Sequence, residues 1–235
     1  MDTRGLLVDP AAKEACEAMI QAGLNAKSQE AFLQRQSMFE ANPRADVYES
    51  LVNHFGIKPG SSVSEGDLAT VGRKAFYHRE VEPHIELFPP VRNLLRRLRS
   101  RGFKLFLVSA GSPDTQRQKI EILNISDEFD DIFLVDSARG ESKFEVIQGI
   151  LGLGFQAHTV LVVGDRIDRE IAAGNRLGTW TCRLSHGEYS HLVPTHVHEV
   201  AHFTIDEISA LDSLLESSVV GCEIGNPLAS SSQDD

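Results

Sequence analysis

The 235-residue chain has an ordinary globular composition, with 41% hydrophobic and 24% charged residues and a formal net charge of -11 at pH 7. No apolar run approaches the roughly 20 residues that cross a bilayer, and the first residues lack the layout of a signal peptide. The negative charge argues against nucleic-acid binding, and three scattered cysteines argue against a disulfide framework. We therefore expect a cytoplasmic protein without a nucleic-acid or membrane partner, and the sequence leaves its oligomeric state open.

The first third of the chain has the pattern of helices. Four segments, beginning near residues 9, 28, 43 and 64, place apolar side chains at helical spacing, with cap residues such as Asp9, Ser28 and Gly56. No strand pattern interrupts them up to about residue 82. We therefore predict a small all-helical domain over residues 9–86, preceded by a short segment of residues 1–8.

Helices and strands alternate in the rest of the chain, over residues 87–215. Such alternation predicts an α/β fold with a parallel sheet covered by helices on both faces. The Ser- and Gly-rich residues 216–235 are expected to be disordered. The predicted strands are residues 104–108, 131–135, 159–163, 179–184 and 203–205, and the helices between and after them are residues 113–123, 142–151, 170–177 and 206–215.

Two clusters of basic side chains have simple interpretations. Five histidines between residues 186 and 202 match no standard zinc-ligand spacing, so we expect a surface loop there rather than a zinc site. A helix before the first strand of the α/β region carries five arginines. We expect these to form a solvated helix face rather than an anion-binding surface; they are Arg92, Arg96, Arg97, Arg99 and Arg101.

Acidic residues gather just after the buried strand at residues 159–163. Gly164 ends the apolar run, and Asp165, Asp168 and Glu170 follow closely. Carboxylates at the carboxyl end of a parallel strand repel one another unless a cation is present, and hard oxygen ligands suit Mg²⁺. The alternative is a strand-to-helix turn in which Asp165 caps the helix. The sequence therefore predicts a candidate magnesium site with this alternative open.

Two further strand or helix ends carry polar residues. The strand at residues 104–108 leads into Ser109-Ala110-Gly111, whose hydroxyl and backbone N–H groups suit a phosphate, although a helix-capping turn has the same composition. Lys143 lies at the start of a predicted helix, where the helix dipole disfavours a cation. A bound anion would explain that position, and a solvated lysine is the alternative.

The order of these groups resembles the haloacid dehalogenase superfamily. That family has a strand followed by Ser or Thr, then a helix-borne Lys, then a strand followed by Gly-Asp and a second acid. The corresponding residues here are Ser109, Lys143, Gly164-Asp165 and Glu170, with separations of 34 residues from Ser109 to Lys143 and 22 from Lys143 to Asp165. Each motif is weak alone, but their order, spacing and strand-end positions together are specific.

The resemblance implies both a fold and a chemistry. It implies a three-layer Rossmann-like core with a parallel sheet at residues 87–215 and a helical cap at residues 9–86. The chemistry would be Mg²⁺-dependent hydrolysis of a phosphate monoester through an aspartyl-phosphate, with a small phosphorylated metabolite as substrate. The family's dehalogenase chemistry is less well matched, because a hydroxyl, a lysine and an acid cluster suit phosphate better.

The resemblance also implies residue roles. Ser109 would hold the transferring phosphoryl oxygen together with the backbone of Ala110 and Gly111, and Lys143 would neutralise the phosphate. Asp165 would be a direct Mg²⁺ ligand. Glu170 stands where the family more often has Asp, so we expect it to reach the metal through a water or to hold Lys143. Asp168 is a competing candidate for that metal position.

The family's first motif, Asp-x-Asp-x-Thr on the first strand, is not found in this chain. In one alignment Asp2 is the nucleophile, and Arg4-Gly5-Leu6 replaces Asp-Gly-Thr, so that the general acid is lost. In the other alignment Met1 lies just after the motif. We favour the second alignment, in which the nucleophile lies upstream of Met1. The alternative function is a catalytically inactive protein that binds a phosphorylated ligand or a partner.

The family's first strand lies between the strands that correspond to residues 104–108 and 159–163. Its loss removes about four buried aliphatic side chains, worth on the order of 6–12 kcal/mol, against a domain stability of about 5–15 kcal/mol. We therefore expect either that the biological chain starts upstream or that the two neighbouring strands pair directly.

Overall fold

The computed structural model of the chain describes residues 8–78, 85–136, 139 and 141–217. These residues divide into two compact units at the boundary between Ile85 and Glu86. No described helix combines the length and the hydropathy that a membrane crossing requires. The segment with Asp2 and nearly all of the predicted tail lie outside the described residues.

The described residues of the first unit form helices joined by loops, with one isolated antiparallel bridge between Leu24 and Ile57. Asp46 accepts hydrogen bonds from the backbone N–H groups of its third helix, and Ser64 caps the fourth in the same way. Its core is formed by buried side chains from all four helices. The helices are α1 (Asp9–Ala22), α2 (Ser28–Ala41), α3 (Val47–Phe55) and α4 (Glu65–Tyr77).

Two predicted helix caps of this unit are wrong by one residue. Asp9 and Ser28 are the first residues of α1 and α2, and the cap positions are occupied by Val8 and Lys27, which make no side-chain capping bond. The hydroxyl of Ser28 donates to the Glu17 carboxylate of α1 instead, so it joins two helices.

The second unit alternates helices and strands, as the sequence predicts. A 3-10 turn precedes β2 and another precedes β3, and the wide π-type turn Ile167–Ile171 connects β3 to α8. The elements are α5 (Pro89–Ser100), β1 (Phe106–Gly111), α6 (Pro113–Leu123), β2 (Asp131–Asp136), α7 (Lys143–Leu151), β3 (Leu161–Gly164), α8 (Ala172–Arg176), β4 (Trp180–Leu184), β5 (Phe203–Ile205) and α9 (Ala210–Glu216).

Predicted boundaries of several elements in this unit differ from the structure. The strand β1 extends through Gly111, because Ser109 to Gly111 stay in register with β2. The helix predicted at residues 170–177 begins with the π-type turn, and only Ala172–Arg176 is α-helical. Asp206 does not cap the last helix, since it accepts a hydrogen bond from Ser185 and α9 begins at Ala210.

All strand pairs are parallel, but they form two sheets. One sheet contains β1 and β2, and the other contains β3, β4 and β5 in that order. Direct pairing of β1 with β3, one of the two outcomes expected for a chain without the family's first strand, is not observed within residues 106–111 and 161–164.

Helices cover the three-stranded sheet and close its core. Leu94 and Leu98 of α5 pack with Cys182 of β4, and Leu211 and Leu215 of α9 complete the same cluster. These side chains are nearly free of solvent contact, so α5 and α9 are closely packed against the three-stranded sheet.

The arginines of α5 are engaged in ion pairs with neighbouring elements. Arg92 and Arg96 both contact the Glu128 carboxylate at 3.1 Å. Arg97 and Arg101 contact Asp212 of α9 at 2.8 and 3.1 Å. This row of side chains therefore attaches α5 to its surroundings, and the expectation of a merely solvated face is incomplete.

Candidate active site

The turn after β3 is built around a glycine that leaves room for a carboxylate. A β-carbon placed on Gly164 would lie 2.8 Å from both Cβ and Cγ of Glu170. Such an approach is too close for real atoms, so the residue before Asp165 must be glycine for Glu170 to fold back over the strand end. Packing against Glu170 therefore explains why a glycine precedes Asp165 in the sequence.

The π-type turn Ile167–Ile171 sets the position of Glu170. Ile167 and Ile171 are fully buried and pack with Leu192, which anchors both ends of the turn. Wide helical turns of this kind are uncommon and occur frequently at functional sites. The turn places the Glu170 carboxylate close to Asp165 at the end of β3, rather than on the surface of α8.

Lys143 and Glu170 form a largely buried ion pair between two elements of the unit. Lys143 is the first residue of α7, which begins with a capping box between Ser142 and Glu145. Its Nζ contacts Oε1 of Glu170, and the two side chains are only 16% and 10% exposed. The position of Lys143 at the start of α7 is therefore explained by its ion pair with Glu170, a carboxylate of the protein itself. The other oxygen, Glu170 Oε2, is buried and has no hydrogen-bond partner.

Asp165 is half-buried beside this pair and is electrostatically strained. Burial raises the pKa of its carboxyl above the ordinary value, and the charge of Glu170 raises it further, while Lys143 and Arg166 act in the opposite direction. Two carboxylates thus share one nearby lysine. A cation bound between them would relieve this repulsion.

Asp168 is held by its neighbour Arg166. Its two oxygens accept hydrogen bonds from Nε and Nη2 of Arg166 at 3.0 and 2.6 Å. Burial by itself would raise the pKa of Asp168, but the hydrogen bonds and charge of Arg166 hold it below its usual range. Arg166 also lies 4.5 Å over the ring of Tyr189. Asp168 is thus an anchor for this arginine, and its predicted metal role has less support than that of Glu170.

Gln116 of α6 contacts the Ser109-Ala110-Gly111 turn at the end of β1, which is predicted to bind phosphate. The Ser109 hydroxyl lies 2.7 Å from Oε1 of Gln116 on α6. Gly111 has φ of +148°, and a β-carbon there would approach Nε2 of the same glutamine to 2.8 Å. Gln116 therefore packs across the whole Ser109-Ala110-Gly111 segment. A substituent at Gly111 would displace it.

The donor set after β3 fits a hard divalent cation. Asp165 and Glu170 supply carboxylate oxygens, one of them buried without a partner, as expected for a ligand atom. In the part of the chain that the structure describes, no three His, Cys, Asp or Glu side chains converge in a metal-type cluster. Water and substrate oxygens would therefore complete the coordination, which is usual for Mg²⁺.

The structure thus brings three predicted residues together: Lys143, Asp165 and Glu170. Ser109 lies at the carboxyl end of β1, in the neighbouring sheet. Sequence reasoning missed Gln116, although its place in the first turns of the helix after Ser109 was a usable indication. It also missed Arg166, which immediately follows Asp165.

The second unit thus combines a parallel α/β fold with a hydroxyl, a lysine and paired carboxylates at strand and helix ends. The sequence model of the haloacid dehalogenase-like hydrolase family matches residues 32–178, well over half of the chain. This chain belongs to that family. The predicted superfamily is therefore confirmed.

Related proteins of known sequence carry phosphatase names. A glyceraldehyde 3-phosphate phosphatase of Methanopyrus kandleri is 29% identical over 208 residues, which cover 85% of this chain and 86% of the relative. A phosphoglycolate phosphatase of Aquifex aeolicus is 33% identical over 136 residues, covering 57% of this chain and 61% of the relative.

Solved structures share the fold. A predicted phosphoglycolate phosphatase from Haemophilus somnus has a TM-score of 0.64 at 17% identity, covering 89% of this chain and 92% of that structure. A HAD-hydrolase from Bacillus subtilis, bound to magnesium, has a TM-score of 0.57 at 18% identity, covering 88% of this chain and 92% of that structure. These likenesses confirm the predicted fold class.

Proposed function

We propose that the protein is a Mg²⁺-dependent hydrolase of phosphate monoesters. The observation that carries the proposal is the buried Lys143–Glu170 pair beside Asp165, with one carboxylate oxygen left without a partner. Most buried oxygens of structural ion pairs have hydrogen-bond partners. A site that must admit a cation and a phosphate keeps some of them open.

The chain's own residues would position the phosphate. Ser109 and the backbone of Ala110 and Gly111 form the turn that receives its oxygens, and Gln116 orients the Ser109 hydroxyl. The Ser109 hydroxyl donates to Oε1 of Gln116, and it would exchange this bond for one to a phosphoryl oxygen when a phosphate binds. Lys143 supplies the positive charge nearest to the carboxylates.

Asp165 and Glu170 would hold the magnesium ion. The ion supplies positive charge that offsets the charge developing on the phosphoryl group. Glu170 would then have two roles, since Oε1 contacts Lys143 and Oε2, which has no hydrogen-bond partner, would be available to the ion. Asp168 contributes through Arg166, whose position next to Asp165 it fixes.

The nucleophile of this proposal is an aspartate, which would form an aspartyl-phosphate that water hydrolyses. It is not among the residues identified in the described site. That observation favours a second candidate, a noncatalytic protein that binds a phosphorylated ligand through the same residues. Ligand binding without turnover would distinguish this second function from the first.

The proposed substrates are small phosphorylated metabolites. The relatives are named for glyceraldehyde 3-phosphate and phosphoglycolate, which are esters of two or three carbons. We also propose that the helical unit acts as the cap that selects among such esters, and that the protein works in the cytoplasm.

Release of inorganic phosphate tests the proposal directly. The chain is incubated with glyceraldehyde 3-phosphate, 2-phosphoglycolate or p-nitrophenyl phosphate, with Mg²⁺ or with a chelator. We expect release that requires Mg²⁺ and is lost in Asp165→Asn, while the exposed-surface control Asp114→Asn stays active. Mg²⁺-dependent binding of phosphate without release would support the noncatalytic function. Release that persists in Asp165→Asn would contradict both.

A further inference from the structure

Residues 187–192, the Tyr189 segment, form a compact turn after β4 that is held by an arginine of that strand. Nη2 of Arg183 donates to three backbone carbonyl oxygens of the segment at 2.9–3.2 Å, those of Tyr189, Ser190 and Leu192. Arg183 is paired in register with Gly164 of β3. The Tyr189 segment is therefore fixed to the sheet at the level where the turn after β3 begins.

Side chains of the Tyr189 segment also pack on the π-type turn after β3. Leu192 is 7% exposed and belongs to the same apolar cluster as Ile167 and Ile171 of that turn, and Tyr189 packs against this cluster. Protein interiors are closely packed, so a displacement of one element has to be accommodated by its neighbours. The position of the Tyr189 segment and the position of the π-type turn are therefore linked.

The side chain of Arg166 lies between an acid of the turn and the ring of Tyr189. Asp168 accepts its two hydrogen bonds, and the guanidinium carbon lies 4.5 Å from the centroid of the Tyr189 ring. The arginine side chain is only 12% exposed, and a contact between a cation and an aromatic ring is stronger when it is removed from water. Arg166 is therefore held in position from two sides.

The backbone of Arg166 closes the turn that carries Glu170. Its carbonyl oxygen accepts hydrogen bonds from the N–H groups of Arg169 and Ile171, at 3.3 and 3.4 Å. The second of these bonds has the five-residue span that is characteristic of a π-helix. Arg166 also directly follows Asp165 in the chain. A displacement of Arg166 would therefore move both carboxylates that are proposed to hold the metal.

We propose that Tyr189 is a positioning residue of the candidate metal site. Its ring fixes Arg166, and Arg166 in turn fixes the placement of Asp165 and Glu170, so that the two carboxylates stay arranged for Mg²⁺. This role rests on the proposed function, because it requires that the two carboxylates bind the ion. Loss of an outer group that orients metal ligands commonly weakens metal binding by about 10–100-fold.

Calorimetric titration of the full chain with Mg²⁺ in the presence of inorganic phosphate tests this role. Tyr189→Leu should raise the dissociation constant of Mg²⁺ by about tenfold, whereas Tyr189→Phe keeps the ring and should stay within about twofold of the wild type. Arg166→Lys keeps the charge but loses the planar fork, so it should also weaken binding by about tenfold. Arg117→Lys, at a side chain that is 57% exposed, is the matched control and should bind Mg²⁺ as the wild type does.

Two further measurements separate a positioning role from a general loss of packing. If Tyr189 acts through Arg166, then Tyr189→Leu combined with Arg166→Lys should bind Mg²⁺ within about twofold of Arg166→Lys alone. Because linked binding equilibria are reciprocal, Mg²⁺ should also slow amide hydrogen exchange in residues 187–192 of the wild type by about threefold or more. The exchange measurement needs no substitution, so it remains decisive if a variant fails to fold.

Three results would overturn the role of Tyr189 while the proposed function stands, because in each of them the wild type still binds Mg²⁺. They are an unchanged dissociation constant in Tyr189→Leu, additive losses in the double variant, and exchange in residues 187–192 that Mg²⁺ leaves unchanged. A wild type that binds no Mg²⁺ would overturn the proposed function, and the role of Tyr189 with it.

Discussion

Removal of the lysine from the buried ion pair should destabilise the protein strongly. In Lys143→Met, the Glu170 carboxylate stays only 10% exposed and loses its compensating charge beside Asp165. Breaking a buried pair in this way costs about 3–5 kcal/mol. The exposed pair of Arg117 and Asp114, with side chains 57% and 81% exposed, is the matched control. Arg117→Met should cost less than about 1 kcal/mol.

A double-mutant cycle with urea unfolding measures the interaction. Glu170→Met alone should also be costly, because it leaves the lysine charge buried. The double variant Lys143→Met with Glu170→Met should recover most of the loss, since both buried charges are gone and the volumes are similar. We expect a coupling free energy of about 3 kcal/mol. If the free energies of unfolding of both single variants lay within about 1 kcal/mol of the wild-type value, the interpretation of Lys143 and Glu170 as a buried ion pair would be refuted.

Further predictions concern the turn after β3 and the buried thiols of the two units. Asp165→Asn should raise the free energy of unfolding at pH 7 by about 1 kcal/mol, because it removes a buried charge that Glu170 repels. Urea unfolding measures this change, and an unchanged free energy of unfolding would contradict the repulsion. Gly164→Ala should lower it by about 1–3 kcal/mol through the clash with Glu170, and an unchanged thermal midpoint would contradict the packing described. Burial raises the pKa of Cys16 and of Cys182 to about 11. Stability should therefore fall as the pH rises from 9 towards 11, where the unfolded chain loses thiol protons that the folded chain retains. Iodoacetamide at pH 9 should leave both thiols unmodified until urea is added, and rapid native labelling would contradict this.

Local chain geometry made the positions of Lys143 and Asp165 predictable from the sequence. Lys143 and Asp165 each lie at an end of a regular element, and hydrophobic patterning reveals such ends. Asp168 shows the limit of that reasoning. It lies one residue short of the spacing that the family resemblance implies for the second acid, and the choice between a metal and Arg166 depends on a side-chain contact that a pattern does not contain. The role of Gln116 was hidden for the same reason.

The strand order was only partly predictable. Alternating helices and strands established parallel pairing, and all three observed pairs are parallel. Whether β1 pairs with β3 depends on tertiary contacts, which no local preference encodes. The π-type turn was likewise unpredictable, since it depends on the anchoring of Ile167 and Ile171 against Leu192.

The most direct test of the central claim is a calorimetric titration of the protein with Mg²⁺ in the presence of inorganic phosphate. The proposed site predicts saturable binding that Asp165→Asn weakens by about tenfold or more, with Asp114→Asn unchanged. If Mg²⁺ does not bind, or binds equally well to Asp165→Asn, then the carboxylates after β3 are not the metal site and the proposed function is wrong.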